Sequence, residues 1–407
     1  MRKLLLLALA LVPVLAFAQG FQVNVEGQKQ IGMGHTGTGI LQDGASVFFN
    51  PGAVAMLPQN YVQGAFSPLL FKSDFNPSGT SVQNQTANKI ATPFSFYAVW
   101  GPKSSFWKLG MGVYTPFGGL TDWGNNWQGK YVLESLNLKA IYFQPTLSIK
   151  LADFVSIGGG FVYNHGSVDL TRAIPLVDGN EKVGQAELKG SGKGYGWNAG
   201  IYFKTEFGVT VGITHRSEVN TTIPDGNAIF NVPASLKSSF PQPNTFYASI
   251  PLPATNAIGF GFYPSSKWIL ALDVNVVSWS VYKTLSFDYA SNTPALQDTH
   301  SPRNYQDALN VRGGAQYKAS DNLALRFGGG YVGTAVRDGY VTPEAPDANR
   351  VYGTVGLGYT MAKHLDIDLG FEFERVLKRT QTNIESQLAG AFKSNVYIPG
   401  ISLAYHW

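Results

Sequence analysis

The stretch Leu365-Asp366-Ile367-Asp368-Leu369-Gly370-Phe371-Glu372-Phe373-Glu374 has an apolar residue at every odd position and an acid or glycine at every even one. Successive side chains of a β-strand point to opposite faces, so this segment has one wholly apolar face and one wholly polar face. A half-buried strand of a soluble sandwich shows such a pattern once or twice. Here it recurs along the chain. Leu323, Leu325, Phe327 and Tyr331 form one row, with Arg326 facing the other way. Leu309, Val311, Ala315 and Tyr317 interleave with Asn310, Arg312 and Gln316, and Val209, Val211 and Ile213 with Thr210, Gly212 and Thr214. Val351, Val355, Leu357 and Tyr359 make another row. Repetition on this scale requires one face that always meets hydrocarbon. Two segments slip phase, one near Pro145 and one near Val276-Val277, which reads as a bulge. A proline inside a strand itself demands a bulge or an edge, or marks a gap in the ladder.

Composition agrees with a lipid-facing wall. Charged residues are 14% of the chain, against about 25% in a typical soluble domain. Glycine is 46 of 407 residues, against roughly 7% on average, and aromatics reach 13%. Mean hydropathy is near neutral, as alternating lipid-facing and lumen-facing residues must average. No run of roughly 18 apolar residues follows the first residues, so no transmembrane helix is expected. The net charge of +4 is small and dispersed, which gives no reason to expect a nucleic-acid partner.

Strand candidates begin near Tyr61, Phe94, Trp107, Asn137, Phe154, Gly190, Gly208, Thr255, Lys267, Ala308, Asn322, Arg350, Leu365 and Lys393. They number about fourteen, an even count as bacterial barrels require. Short links such as Gly101-Pro102-Lys103-Ser104 and Tyr263-Pro264-Ser265-Ser266 alternate with long polar stretches at 72–92, 223–250 and 290–306. Short turns at one end and long loops at the other are the periplasmic and extracellular ends of such a barrel. The final Ile401-Ser402-Leu403-Ala404-Tyr405-His406-Trp407 alternates and closes on an aromatic, resembling the signal read by outer-membrane assembly machinery. The expected fold is therefore all-β: a transmembrane antiparallel β-barrel of about 14 strands over residues 60–407, in the outer membrane of a Gram-negative-type envelope.

Residues 1–18 read as a signal peptide, with Arg2 and Lys3, an apolar run at 4–12 and the small-x-small site Ala16-Phe17-Ala18. The absence of Cys suits an exported chain that avoids chance disulfides. Residues 19–59 do not alternate and carry two apolar patches, Val47-Phe48-Phe49 and Ala53-Val54-Ala55-Met56-Leu57. A barrel of this strand number leaves an interior to be filled, so this segment is expected to be an N-terminal plug, or hatch, in the lumen. Gly32-Met33-Gly34-His35-Thr36-Gly37 matches G-x-G-x-x-G literally, but no strand precedes it and no acid follows at the required distance. A glycine-rich turn within the plug is the preferred reading.

Several features, taken in order, resemble the FadL-type long-chain fatty acid transporter family and its aromatic-hydrocarbon uptake relatives. The start Gly20-Phe21-Gln22-Val23-Asn24 looks like the family's N-terminus, and Asn50-Pro51-Gly52 is similar to its Asn-Pro-Ala motif, with Gly52 in place of Ala. Pro251-Leu252-Pro253, Lys267-Trp268, Ser278-Trp279-Ser280, Tyr305-Gln306-Asp307-Ala308, Arg312-Gly313 and Leu325-Arg326-Phe327-Gly328 follow in the family's order, and Pro346-Asp347 then precedes Arg350. The resemblance implies ligand capture at an extracellular groove, passage to a tighter inner site, hatch movement, and passive lateral release through a gap in the wall. Pro116 and Pro145 are places to look for that gap. Phe21, Asn50, Pro51 and Gly52 are the expected gating residues. Phe48, Phe49, Val54 and Met56 either touch ligand or pack the plug. Arg312 and Arg326 are candidates for a ligand carboxylate, although pairing with Asp307 or Glu372 to brace the barrel is the first reading of each.

The expected partners are a long-chain fatty acid or other hydrophobic small molecule, outer-membrane lipid and lipopolysaccharide, and the barrel assembly machinery; a monomer is expected. No cofactor, metal site or catalysis is expected, since the six histidines show no Ser-His-acid spacing. The competing readings are a general porin and an adhesin-like barrel without hydrophobic ligand transport.

Overall fold

A computed structural model describes residues 20–177 and 183–407, and the expected signal peptide lies outside them. A 14-strand antiparallel barrel forms. The first four strands are β1 (Tyr61–Phe66 and Leu69–Pro77), β2 (Asn84–Gln85, Ile90–Ala91 and Phe94–Trp100), β3 (Trp107–Asp122) and β4 (Ser135–Ala152). Then come β5 (Val155–Val177), β6 (Val183–Lys204), β7 (Val209–Arg216 and Val219–Asn231) and β8 (Asn244–Leu252 and Thr255–Ser265). The wall continues with β9 (Trp268–Val277 and Thr284–Tyr289), β10 (Thr299–Pro302 and Ala308–Lys318) and β11 (Leu323–Val332). It ends with β12 (Arg350–Ala362), β13 (Leu365–Thr382) and β14 (Ala389–His406). β14 returns to β1, with Tyr61 opposite His406 and Phe66 opposite Ile401, so the sheet has no free edge. Among the described residues no helix is long and apolar enough to cross a membrane; the crossing is made by strands.

Each expected strand is present, but several run further than the alternation suggested. β1 continues to Pro77, β7 to Asn231, and β8 begins at Asn244, inside stretches expected to be loops. Above the membrane the outward face meets water, so the apolar row stops while the hydrogen-bonded ladder goes on. The two expected phase slips also resolve differently. At Pro145 the β4–β5 register is unbroken, from Phe143 opposite Tyr163 to Thr146 opposite Gly160; only the pairs at Gln144 and Pro145 are missing. The register shift lies one strand earlier, in β3 between Tyr114 and Phe117, across Pro116. At Val276-Val277 the ladder is regular on both sides. Val276 faces out and Val277 is fully buried inside, where it begins an inward break at the 3-10 turn Trp279–Val281.

The interior has two zones. On β4 the inward residues are Leu136, Leu138, Ala140 and Tyr142 towards the extracellular end, then Gln144, Thr146 and Ser148 below. The upper zone joins Phe117, Val168, Leu170, Leu188, Trp279 and Tyr282 in one continuous apolar cluster. The lower zone holds the N-terminal segment, which contains α1 (Gln28–Gly32), α2 (Ser46–Phe49) and a 3-10 turn at Pro51–Met56.

That segment is fastened to many strands by polar contacts. Lys29 Nζ lies 2.9 Å from an Asp366 carboxylate oxygen on β13. The Gly37 and Thr38 amides donate to Asp273 on β9, each at 2.9 Å. Ser148 and Ser156 on β4 and β5 both donate to the Gly52 carbonyl, at 3.1 and 2.6 Å. Each such bond, made away from water, is worth about 1 kcal/mol net, and each broken one leaves a buried group unpaired at a larger cost. Close approach depends on glycine, for example at Gly34 and Gly212. Gly34 has φ +65°, and a Cβ there would lie 2.5 Å from the Gly313 carbonyl oxygen. On β7, a Cβ at Gly212 would collide with the Thr38 carbonyl.

Gly212→Val is expected to leave the barrel folded and loosen residues 28–52, since overpacking a tight contact costs about 1–3 kcal/mol. Hydrogen exchange should rise about fivefold or more in 28–52 and stay unchanged in the β10–β13 ladder. Equal protection in both proteins would show that this contact does not hold the segment.

Candidate functional site

The distinctive local feature of the wall follows from Pro116. It has no N–H to give to the ladder, and the bulge around it turns both Pro116 and Phe117 inward. β3 pairs with β2 only as far as Tyr114, opposite Ser95. Above that point β3 pairs with β4 alone, from Phe117 opposite Ala140 to Asp122 opposite Ser135. The upper pieces of β2 stay on β1. The two sides meet again where the Ala87 amide donates to the Asp122 carbonyl at 2.7 Å. Between these limits the wall lacks a ladder.

The groups freed on β3 are taken from inside by the start of the chain. The Val23 amide donates to the Pro116 carbonyl and the Gly118 amide donates to the Phe21 carbonyl, both at 2.9 Å. Gln22 and Phe117 form the bridge between them. The Phe21 ring is buried edge-on to Trp279 and Tyr282, at centroid distances of 6.5 and 6.3 Å. Phe117 completes this aromatic cage, 6.0 Å from Trp279 and 6.2 Å from Tyr142.

Directly below the cage is a small cavity of about 50 Å³. Its lining includes Asn24, Phe48, Phe49, Arg216, Asn275 and Arg312. It holds a few waters at most, far less than the several hundred Å³ of an ordinary ligand pocket. Arg216 is nine-tenths buried and makes no salt bridge to a carboxylate among the described residues. Its guanidinium donates to the Tyr114 hydroxyl at 2.6 Å, to Gln144 at 3.0 Å and to the Phe48 carbonyl at 3.1 Å. It also lies 4.6 Å from the centre of the Phe48 ring. A second pocket, of about 220 Å³, sits near the extracellular end, with Leu170, Leu188, Leu285 and Phe287 beside Arg172 and Arg303.

The structure sorts the expected residues. Phe21, Phe48, Phe49, Pro51 and Arg312 come together around the cage and the cavity. Asn50 and Gly52 lie beneath as fasteners: the Asn50 side chain accepts from the Gly52 amide at 3.0 Å and donates to the Thr38 and Ile201 carbonyls at 2.9 and 3.1 Å. Val54 is fully buried and Met56 half-buried, and neither lines the cavity. Arg326 is a brace, donating to Asp368 and Gln316, both at 2.6 Å. Its partner is neither Asp307 nor Glu372. Asp307 accepts from the Ser280 amide, and Glu372 pairs with His35 inside the glycine-rich turn. Arg312 carries no acid partner among the described residues and donates to Asn24 at 3.1 Å, leaving its Nε unpaired. Arg216 went unnoticed in the sequence, although it continues the inward phase of Thr210, Gly212 and Thr214.

Glu26, in the same N-terminal segment, is almost fully buried, and burial pushes its carboxyl up to about 8, with Arg312 and Arg216 pulling the other way. Its undocked value is near 4.5, so the docked segment binds the extra proton. Docking is then strongest below pH 4.5 and weakens as pH rises towards 8. Exchange of amides 22–30, corrected for intrinsic rates, should quicken between pH 5 and 8 in the native protein. Glu26→Gln should remove the dependence; an identical profile in both would assign the change elsewhere.

Comparison with known proteins agrees with this architecture. Residues 9–407 match the family model described as outer membrane protein transport protein (OMPP1/FadL/TodX). The long-chain fatty acid transport protein of Escherichia coli K12 is 23% identical over 422 residues, covering 91% of each chain. The 47 kDa outer membrane protein of Pasteurella multocida is 24% identical, covering 100% of this chain and 98% of that one. Among solved structures, a Pseudomonas aeruginosa FadL homologue superposes with a TM-score of 0.83 at 18% identity, covering 95% of this chain and 99% of that one. The Pseudomonas putida toluene transporter TodX gives 0.73 at 16%, with the same coverage. At such identities these two likenesses speak for the fold. The family match spans the whole barrel, and the chain belongs to the OMPP1/FadL/TodX family of outer-membrane transport proteins.

Proposed function

We propose that this protein carries long-chain fatty acids or similarly hydrophobic small molecules passively across the outer membrane, releasing them sideways into the bilayer. The observation that carries the reading is the ladder-free stretch between β2 and β3, closed from inside by Phe21, Gln22 and Val23. A fatty acid tail gains roughly 0.8 kcal/mol per buried CH₂, so an aqueous axial pore is a poor path for it. An apolar lumen leading to an opening in the wall keeps the tail out of water throughout. Residues 19–59 act in this scheme as the hatch. Their lower part stays fastened to the wall while the 20–24 segment swings away from β3.

The order of events follows from the two zones. The extracellular pocket with Leu170, Leu188, Leu285 and Phe287 takes the ligand first, with Arg172 to draw an anionic head; Arg303 is already held by Glu344. The tail then displaces Phe21 from the aromatic cage, and the head settles towards Arg216, which like Arg312 is a buried cation without an acid partner among the described residues. Toluene transporters share the fold, and the aromatic cage suits such ligands as well. The work done is transport, with no bond made or broken. An open porin is disfavoured because residues 28–52 lie in the lower lumen, bonded to β4, β5, β9 and β13.

The chain has no Cys, so Gln22→Cys with Phe117→Cys creates a single pair at bridged positions whose Cα separation suits a disulfide. Oxidation should cut uptake of labelled oleate at least tenfold, and reductant should restore it in the same variant. Uptake unaffected by oxidation would refute lateral release at β3. Arg216→Met should weaken oleate binding about tenfold or more, the worth of a charged hydrogen bond, and change binding of the matching neutral alcohol less than threefold. Equal losses for acid and alcohol would mean that Arg216 only supports the fold.

A further inference from the structure

The outward rows of β13, β14 and β1 change character at one level. On β13, Leu369, Phe371 and Phe373 face out, and the next outward residue is Arg375. On β14 the row Leu403, Ile401, Pro399 and Tyr397 gives way to Asn395 and Lys393. On β1, Val62, Phe66 and Leu70 give way to Lys72 and Asp74. The register aligns these switches. Phe373 and Leu70 both sit opposite Tyr397, and Arg375 and Lys72 both sit opposite Asn395. The ring of Phe373 lies 5.3 Å from that of Tyr397, an aromatic pair at the upper rim of the apolar band. About ten residues of tilted strand separate this rim from the periplasmic turn, the length needed to span the hydrocarbon. The basic row therefore sits at the outer-leaflet headgroups.

One step higher the patch grows. Asp74 sits opposite Lys393, and the bulge between Val376 and Arg379 on β13 brings exposed Lys378 beside Lys393. Strand spacing sets Lys72 and Arg375 about 10 Å apart across β14. Among the described residues, Lys72, Arg375, Lys378 and Lys393 make no salt bridge, whereas their neighbours do: Arg350 with Asp347 and Glu374, and Arg379 with Asp338. The one acid within the patch, Asp74, is taken up by Gln85 at 2.8 Å. Four unpaired cations on one outward surface, over an aromatic rim, complement a phosphate-bearing headgroup whose acyl chains lie against the band below.

We propose that this surface of β13, β14 and β1 binds the phosphorylated headgroup of a lipopolysaccharide molecule of the outer leaflet. Lys72, Arg375, Lys378 and Lys393 grip the phosphates, and Phe371, Phe373 and Tyr397 lie along the first acyl chains. The site is on the wall's outer face and does not depend on the transport route, so oleate uptake serves as a separate readout.

The test compares lipopolysaccharide bound per barrel, counted by native mass spectrometry after extraction in mild detergent. The variants are Lys72→Gln/Arg375→Gln/Lys378→Gln/Lys393→Gln and a control, Lys139→Gln/Lys193→Gln, whose exposed lysines lie on β4 and β6. Heat-modifiable migration on gels checks that each barrel is folded, and Lys72→Gln/Arg375→Gln replaces the fourfold variant if that one fails to fold. The patch variant should retain at least tenfold less lipopolysaccharide than the native chain, with the control within twofold and oleate uptake unchanged. Equal retention by patch variant and control would overturn the proposal. So would a native barrel that retains phosphatidylglycerol as readily as lipopolysaccharide.

Discussion

Inside a bilayer no water is present to satisfy a peptide group, so every N–H and C=O at membrane depth needs a partner within the protein. That requirement closes β14 onto β1, and it makes any interruption of the wall costly unless something fills it. Pro116 interrupts the wall. The carbonyl and amide that its bulge releases, on Pro116 and Gly118, are answered by Val23 and Phe21 from the lumen. The N-terminal segment thus stands in as a short piece of sheet, and removing it exposes both an opening and the polar groups around it. A ligand that displaces Phe21 must offset this loss through its own burial. A long apolar tail is suited to do so, at roughly 0.8 kcal/mol per CH₂.

The two zones of the lumen divide the labour. Below, the inward polar residues of β4, β5, β9 and β13 fix the segment from Lys29 to Gly52 at many points, so it resists rigid expulsion. Above, aromatic and aliphatic side chains pack mainly by apolar contact, with Trp123 and Trp127 each giving one hydrogen bond to a backbone carbonyl. The short piece between these zones is residues 20–24, and just beyond it lies Glu26, a buried acid whose carboxyl is pushed by burial up to about 8.

Much of this was legible in the sequence, because lipid imposes a strict pattern on the outward face. Leu369, Phe371 and Phe373 announce β13 without any structure. The pattern fails where lipid ends, which is why β7 beyond Ile223 and β8 before Ile250 read as loop: a strand with one face in water and one in a mixed lumen keeps its ladder and loses its alternation. Proline showed that the wall is interrupted but not how. Pro145 sits in a regular register, while Pro116 carries the shift. The site itself was half visible. Phe21, Phe48, Phe49 and Arg312 lie together around the cage and the cavity. Arg326 is a brace, the first reading of it, but its acid is Asp368 on β13 and neither Asp307 nor Glu372. Arg216 was overlooked because a single arginine at the end of a short row gives no signal until its lack of an acid partner is seen in space.

The most direct test of the account is the place where a ligand leaves the protein. An oleate carrying a photoactivatable diazirine at its methyl end, trapped during uptake by cells and mapped by mass spectrometry, records that place. Labels concentrated on Phe94, on residues 115–119 of β3 and on residues 21–24 are predicted. Labels confined to the periplasmic turns, at 205–208 and 264–267, would mean passage along the barrel axis and would contradict lateral release.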